Sequence, residues 1–430
     1  MTNPLLAAKN NAYNQGSSYT PLNDPEIANI IAHINEEHLD ELLGFLGAFT
    51  PLSVAELDNV EVQLITVYSE GIVLQVQPKD IKNQPTDSQN QIFQDQITQD
   101  QSFFIAFAAP IAQLDELQTQ YILLKQRADK KLGKKTIKLT KQKFIVQDSY
   151  KVSKNMLRLE LSLPELDAPE LSMPNDTPMP MPMNEVGYAY LFDLEHNAIT
   201  TNNVNDSKNN SAYPSRPHCY YTLRKAWQTP TGMQAWVDVF LHGDTSGGNW
   251  AKSLQAGDTV ISKREFPEKV EHLRDGQALL IADETSMPTV ARLLELWDNP
   301  KPPLVICVTQ DEADQAYFDD IKMSSNIEGS IKAKFIMLPL VVGEMNLGQN
   351  LATLIDSKLG DYLTNHPIQI DKVWGALEAN TSKALRPLLR ERLKLSRTEA
   401  VVKVYWRQDR PTQIKLRCAI YPKQYSHSST

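Results

Sequence analysis

Residues Ala278–Ala282 are five consecutive apolar positions. The polar turn Asp283-Glu284-Thr285-Ser286 follows, and then apolar residues at helical spacing, Val290, Leu293, Leu294 and Trp297. An unbroken apolar run of this length reads as a strand buried on both faces, and the spacing after it as an amphipathic helix. Pro288 suits the first turn of that helix, where no N–H is needed. Further strand-like runs lie at 304–309, 334–338, 372–378 and 400–405, with helical runs at 288–298, 311–322, 350–364 and 381–395. Strands alternating with helices predict a doubly wound parallel α/β sheet, whose ligands bind at the carboxyl ends of the strands.

Upstream the pattern changes. Phe144–Val146, Met156–Leu163, Gly187–Phe192, Tyr220–Trp227, Ala235–Leu241 and Asp258–Ile261 are short strand-like segments, with Thr136–Leu139 a further one. Short strands with polar turns predict an antiparallel β-barrel or sandwich, of which the six-stranded barrel is the expectation. Two long loops interrupt it, the Pro- and Met-rich stretch 166–186 and the Asn- and Ser-rich stretch 200–215. Further upstream, Asp24-Pro25-Glu26 is an N-cap with Pro at the first helical position, opening a helix expected to run to about Phe49. Its stripe is Ile27, Ile31, Ile34, Leu42, Phe45 and Phe49. A hairpin (60–68 and 71–77), a loop (79–101), a strand (102–108) and a helix (111–127) complete a small α+β domain.

The expected division is therefore multidomain α+β. Residues 1–23 are disordered and 24–128 form an α+β accessory domain. Residues 129–268 form the barrel, and 269–430 the α/β domain with a C-terminal extension. Within that extension, RPTQIKLRCAIYP alternates like one more strand.

Composition narrows the class. The chain has 430 residues, 41% apolar and 22% charged, as in ordinary globular proteins. The net charge of −9 is uneven: residues 1–124 carry 16 acidic and 3 basic side chains, and the rest is mildly basic. Nothing is basic enough to predict nucleic-acid binding. No apolar run reaches the roughly 18 residues of a membrane span. The first residues lack a basic segment followed by an apolar one, so the expected location is the cytoplasm. Cys219, Cys307 and Cys418 are far apart and form no Cys-x-x-Cys pair, which removes disulfide-framework, zinc and iron–sulfur readings.

Four segments carry candidate chemistry. They are Tyr220-Tyr221-Thr222-Leu223-Arg224; His242-Gly243-Asp244 with Asn249-Trp250-Ala251 and Gly257-Asp258; Asp283-Glu284-Thr285 with Pro288; and Trp374 and Glu378-Ala379 with Ala384-Leu385-Arg386 and Tyr405-Trp406-Arg407. Together and in this order they resemble the siderophore-interacting proteins, FAD-dependent ferric-siderophore reductases with a ferredoxin-reductase-like layout. The resemblance spans about residues 138–408. Where that family has a first arginine, a glycine and one more turn residue, this chain has Cys219 (with Arg216 in the adjoining loop), Ala282 and a shorter 243–250 turn.

The resemblance implies FAD, NADH or NADPH, and a ferric siderophore as electron acceptor. Catalysis would rest on the cofactor, with no side-chain catalyst and no resident metal. Cofactor contacts would come from Tyr221, Thr222, Arg224, His242, Gly243, Gly247, Gly248, Asn249, Trp250, Asp283, Glu284, Thr285 and Glu378. On a Tyr-Thr-x-Arg strand the tyrosine can pack on a flat ring and the threonine can bond its polar edge. The arginine fork matches a phosphate. Gly247-Gly248 would let the backbone approach an anion. Trp250 reads better as barrel core than as a flavin-stacking ring, and Asp283 or Ser286 would equally serve as helix caps. The absence of G-x-G-x-x-G points away from Rossmann dehydrogenases.

Lys383, Arg386 and Arg390 repeat on one helix face, and with Lys263, Arg264 and Arg407 they are candidates for an anion-attracting rim. A solvated charged face is the equal alternative for that row. In the N-terminal region, AHINEEHLDELL resembles a small domain accompanying haem-utilisation proteins. His33 and His38 are five apart, however, so on one helix they diverge by about 140°. A hydrogen-bonded core histidine is the preferred reading of His38. The alternative functions are an NAD(P)H flavin reductase or other electron donor, and a siderophore-binding protein of the same fold without catalysis. The sequence assigns no oligomeric state.

Overall fold

The computed structural model describes residues 19–53, 56–57, 59–78, 100–139, 141–163, 181–195, 218–323, 335–343 and 347–408. Several expectations lie outside them: Arg216, the 200–215 loop, the strand after Arg407, and most of the 1–23, 79–101 and 166–186 segments. The chain divides into two compact units, with the boundary between Ile137 and Lys138.

The first unit contains α1 (Glu26–Glu37), α2 (Leu39–Phe49), β1 (Val60–Tyr68), β2 (Gly71–Pro78), β3 (Gln101–Ala106) and α3 (Asp115–Lys131). The strands form an antiparallel sheet in the order β1-β2-β3. The single helix expected over residues 24–49 is broken at His38, whose φ is −120°. In a straight helix Leu42 would sit about 80° away from Ile34. The break realigns the halves, so that Ile27, Ile30 and Ile34 share one core with Leu42, Phe45 and Leu46. Ile30 takes the buried place expected of Ile31, which is only partly buried. The same break brings the His33 and His38 rings to 5.1 Å. His38 is not a core residue: its side chain is 34% exposed, with Nδ1 3.3 Å from Glu41 Oε2. Among the described residues no group of three or more His, Cys, Asp or Glu could hold a metal ion.

The second unit opens with β4 (Gln142–Lys151), β5 (Met156–Leu163), β6 (Ala189–Asp193), β7 (His218–Thr229), β8 (Gly232–Phe240) and β9 (Thr259–Phe266), with α4 (Ser246–Ser253) between the last two. They close into the expected six-stranded barrel, in the order β4-β5-β8-β7-β6-β9, with antiparallel neighbours. Alternate residues Leu159, Leu161, Val237 and Val239 fill its interior with Phe144, Tyr190 and Phe192. Residues 136–139 contribute one isolated bridge, Lys138 to Glu265, instead of a strand.

The parallel sheet follows: β10 (Ala278–Ala282), β11 (Leu304–Thr309), β12 (Ile336–Val341), β13 (Lys372–Glu378) and β14 (Ala400–Trp406). Their order is β12-β11-β10-β13-β14, all parallel. Helix α5 (Met287–Glu295) follows β10; α6 (Gln349–Asn365) and α7 (Ala379–Leu393) flank β13. Every residue of β10 is completely buried, as a strand covered on both faces requires. Leu280 and Ala282 face α5, while Leu279 and Ile281 face α6 and α7. Barrel residues Met156 and Phe240 join the α5-side core.

The helix expected over 311–322 is only a 3-10 segment, Glu312–Phe318. Tertiary bonds hold this tighter turn. Asp314 accepts from Ser153 Oγ and from Asn155 N and Nδ2, and Tyr317 donates to Asp238. The chain runs outward from β10 through β11 to β12, then crosses back to β13 on the other side of β10. The carboxyl ends of β10 and β13 therefore flank a topological switch point.

Candidate functional site

The turn after β10 is locked to both neighbouring strands. Ser286 Oγ donates to the Ala376 carbonyl of β13 at 2.7 Å, and Glu284 Oε1 accepts Gln310 N, just beyond β11, at 2.5 Å. Asp283 Oδ1 accepts from Thr285 N at 3.0 Å and Thr285 Oγ1 at 2.6 Å, while its Oδ2 accepts from Trp406 Nε1 at 2.8 Å. Asp283 thus closes the turn, and the Ser286 side chain makes no cap bond to α5. Burial raises the Asp283 carboxyl above its usual range against those hydrogen bonds. Burial, with the Asp283 charge behind it, lifts Glu284 to about 8.

Trp406 carries the contact onward. Its ring lies 5.6 Å from that of His242, which stacks on Phe240 at 5.2 Å. Segments 242–243, 283–285 and 405–406 therefore converge at the carboxyl end of the sheet, beside the barrel. The Tyr-Thr strand reaches the same place. Thr222 Oγ1 is 3.3 Å from Thr289 Oγ1 in α5, and Thr289 Oγ1 is 3.2 Å from Tyr405 Oη. Tyr405 donates to Glu268 Oε2 at 3.0 Å, and Lys403 pairs with Glu268 Oε1.

The glycine turn faces β7. Tyr221 stacks on Trp250 at 5.8 Å with planes 5° apart. A Cβ on Gly247 would stand 2.1 Å from the Tyr221 hydroxyl, so any other residue there requires the tyrosine to move. Thr245 caps α4 by accepting from Gly248 N at 3.2 Å, and Asn249 Nδ2 donates to Asp244 Oδ1 at 2.5 Å. Gly243, at φ +52°, borders open space. Trp250 is 6% exposed within the barrel core, yet its Nε1 is buried without a partner.

Other sequence candidates are placed differently. Arg224, read as a phosphate ligand, is buried and donates twice to Glu295 of α5, both bonds at 2.9 Å. Its planar fork finds a carboxylate inside the fold. Glu378 caps α7, accepting Thr381 N at 3.0 Å, at the switch point. The basic row does not form one rim, because α7 starts at the switch point and runs back along the sheet. At about 1.5 Å per residue, Lys383 and Arg390 are about 10 Å apart along the axis. Arg386 Nε donates to the Val402 carbonyl at 2.8 Å, Lys383 and Arg407 are exposed, and Arg390 is half-buried. Lys263 is on the barrel strand β9, paired with Asp193 at 2.8 Å and touching His218; Arg264, beside it, is half-buried.

Glu268, Thr289 and Lys403 join this cluster without a signal in the sequence. They occur singly in unremarkable surroundings, and only the packing of α5 and β14 against the barrel joins them.

No family model matches the chain, and no curated protein matches it. Solved structures similar to it include the siderophore-interacting protein from Acinetobacter baumannii, at 14% identity over 65% of this chain and 93% of that one, with a TM-score of 0.44. A siderophore utilization protein from T. fusca is 17% identical over 65% of this chain and 98% of that one, with a TM-score of 0.41. A flavohemoglobin from Malassezia yamatoensis with bound FAD and heme is 12% identical over 66% of each chain, with a TM-score of 0.42.

Proposed function

We propose that the chain is an FAD-dependent NAD(P)H oxidoreductase that delivers electrons to a ferric siderophore in the cytoplasm. Residues 24–128 would be an accessory domain, 129–268 the FAD barrel and 269–430 the nicotinamide domain. The observation that carries this reading is the convergence of segments 220–224, 242–250, 283–285 and 405–406 at the switch point. The residues fit a flavin. Trp250 Nε1 is a buried donor lacking an acceptor, next to the Tyr221 ring and the N-terminal turn of α4. Tyr221 and Thr222 would hold the ring, and the 243–250 turn would hold the phosphates. Asp283, Glu284 and Thr285 would border the nicotinamide. FAD bound there supplies hydride acceptance and single-electron release. Iron(II) is held less well than iron(III) by hard oxygen ligands, so reduction would free it. Lys383 and Arg407, exposed near the switch-point end, would attract an anionic chelate.

A second reading is favoured by Arg224 and Cys219. With Arg224 bound to Glu295 and cysteine in the first-arginine position, the same fold would serve as a siderophore-binding protein without catalysis. Purified protein separates the two. Flavin absorbance, with anaerobic NADH- or NADPH-driven reduction of ferric siderophore trapped as iron(II), supports the reductase. A colourless protein that fails to bind added FAD sinks it, and turnover confined to free flavin removes the siderophore.

A further inference from the structure

The hydroxyl chain from barrel to sheet has a fixed direction. Glu268 is 2% exposed and ion-paired with Lys403, so it is a carboxylate and only accepts hydrogen bonds. Its Oε1 also accepts Lys269 N, and its Oε2 receives the Tyr405 hydroxyl proton at 3.0 Å. Tyr405 has one proton, so its oxygen can only accept from Thr289, 3.2 Å away. The Thr289 proton is then committed to Tyr405, and its oxygen accepts from Thr222 at 3.3 Å. The Thr222 proton thereby points away from the barrel side and into the chain. Packing preserves this order. Tyr405, Thr289 and Thr222 come from three separate elements. Gly187 lies against the chain: a Cβ there would sit 2.7 Å from Glu268 Cβ and 2.8 Å from Thr289 Cγ2.

We propose that Thr222 meets its ligand as a hydrogen-bond acceptor, and that Glu268, through Tyr405 and Thr289, is the positioning residue that makes it so. The inference rests on the flavin reading above and deepens it. The hydride-accepting ring nitrogen of a flavin is an acceptor when oxidised and carries N–H when reduced. A threonine held as an acceptor favours the N–H form, so the reduced cofactor is bound more tightly relative to the oxidised one. Breaking the chain frees the Thr222 proton to turn towards the oxidised ring.

The test is the midpoint potential of the bound flavin in the full chain, with Tyr405→Phe and Thr289→Val compared with wild type. Thr289→Val is close in shape, which keeps the test alive if Tyr405→Phe unfolds. Both variants are expected to favour oxidised over reduced flavin by about tenfold, a fall of about 30 mV for a two-electron couple. Thr289→Ser, which restores the hydroxyl, is expected to return the potential to the wild-type value. A flavin-loaded Thr289→Val whose potential is unchanged or higher overturns the proposal while leaving the flavin reading intact. A wild-type chain that binds no flavin overturns both.

Discussion

Trp406 Nε1 donates to Asp283 Oδ2 at 2.8 Å, joining the end of the sheet's last strand to the turn after its first. Asp283 is buried, and its other oxygen is already engaged by Thr285. Trp406→Phe keeps much of the ring contact with His242 but leaves that oxygen without its donor. The expected cost is about 1–3 kcal/mol, read from urea unfolding of the full chain. The Asp283 carboxyl is expected to move further up, because one of the bonds opposing the effect of burial is gone.

Arg224 and Glu295 join barrel strand β7 to helix α5 through two bonds in a largely buried setting. Glu295 also pairs with Arg292 at 2.9 Å, so Glu295→Met leaves two buried guanidiniums without their carboxylate and should cost about 3–5 kcal/mol, whereas Arg224→Met, which leaves Glu295 its Arg292 partner, should cost less. Adding Arg224→Met to Glu295→Met should recover only the part of the loss due to Arg224, because Arg292 still lacks its carboxylate. Single variants that unfold at the wild-type denaturant concentration would show that the pair does not hold the barrel to the sheet.

Glu284 gives the second unit a pH dependence of defined sign. Its carboxyl titrates near 8 in the fold against an ordinary 4.5. Between those values the unfolded chain has lost the proton and the folded one retains it, so stability falls as pH rises through this window. Below 4.5 both states are protonated and the effect vanishes. Glu284→Gln should therefore flatten the decline, melting above wild type at pH 8 and near it at pH 4.5. Parallel melting curves for the two proteins across this range would contradict the assignment.

Glu41 in the first unit has the opposite sign. Burial alone would raise it, but the His38 hydrogen bond and charge, with the Lys125 charge, bring it down to about 2. Its stabilising contribution is complete above 4.5 and is lost as pH falls towards 2. Glu41→Gln should weaken the first unit at neutral pH and make its acid unfolding less steep, measured by circular dichroism of the full chain between pH 2 and 6.

Gly187 has φ +62°, in the left-handed region, and lies against Glu268 and Thr289. Gly187→Ala meets both backbone strain and a collision with Glu268 Cβ. A loss of at least about 1–3 kcal/mol is expected in denaturant unfolding. Gly243→Ala, also at positive φ but facing open space, should cost less because only the backbone strain remains.

Much of the second unit is legible in the chain because burial leaves a periodic trace. The limits of β10, β11 and β13 coincide with the apolar runs at 278–282, 304–309 and 372–378, since strands covered on both faces admit almost no polar residue. The break at His38 is not legible in that way. No proline or glycine marks it, and it follows from fitting two apolar faces to one core. The 3-10 segment at Glu312–Phe318 likewise owes its form to Ser153, Asn155 and Asp238, which are distant in sequence.

By itself the sequence determined most strands and helices, the barrel-then-sheet order and the position of the Asp283 turn at a strand's carboxyl end. These follow from local periodicity and turn chemistry, which act over a few residues. The tertiary structure alone decided what the polar groups do. Arg224 has Glu295 as its partner because the packing of α5 on the barrel brings that carboxylate to it. Thr222 had no direction to its hydroxyl until Thr289, Tyr405 and Glu268 lined up behind it. Hydrogen-bond partners are set by packing across elements, and a buried polar group takes whichever partner the fold delivers.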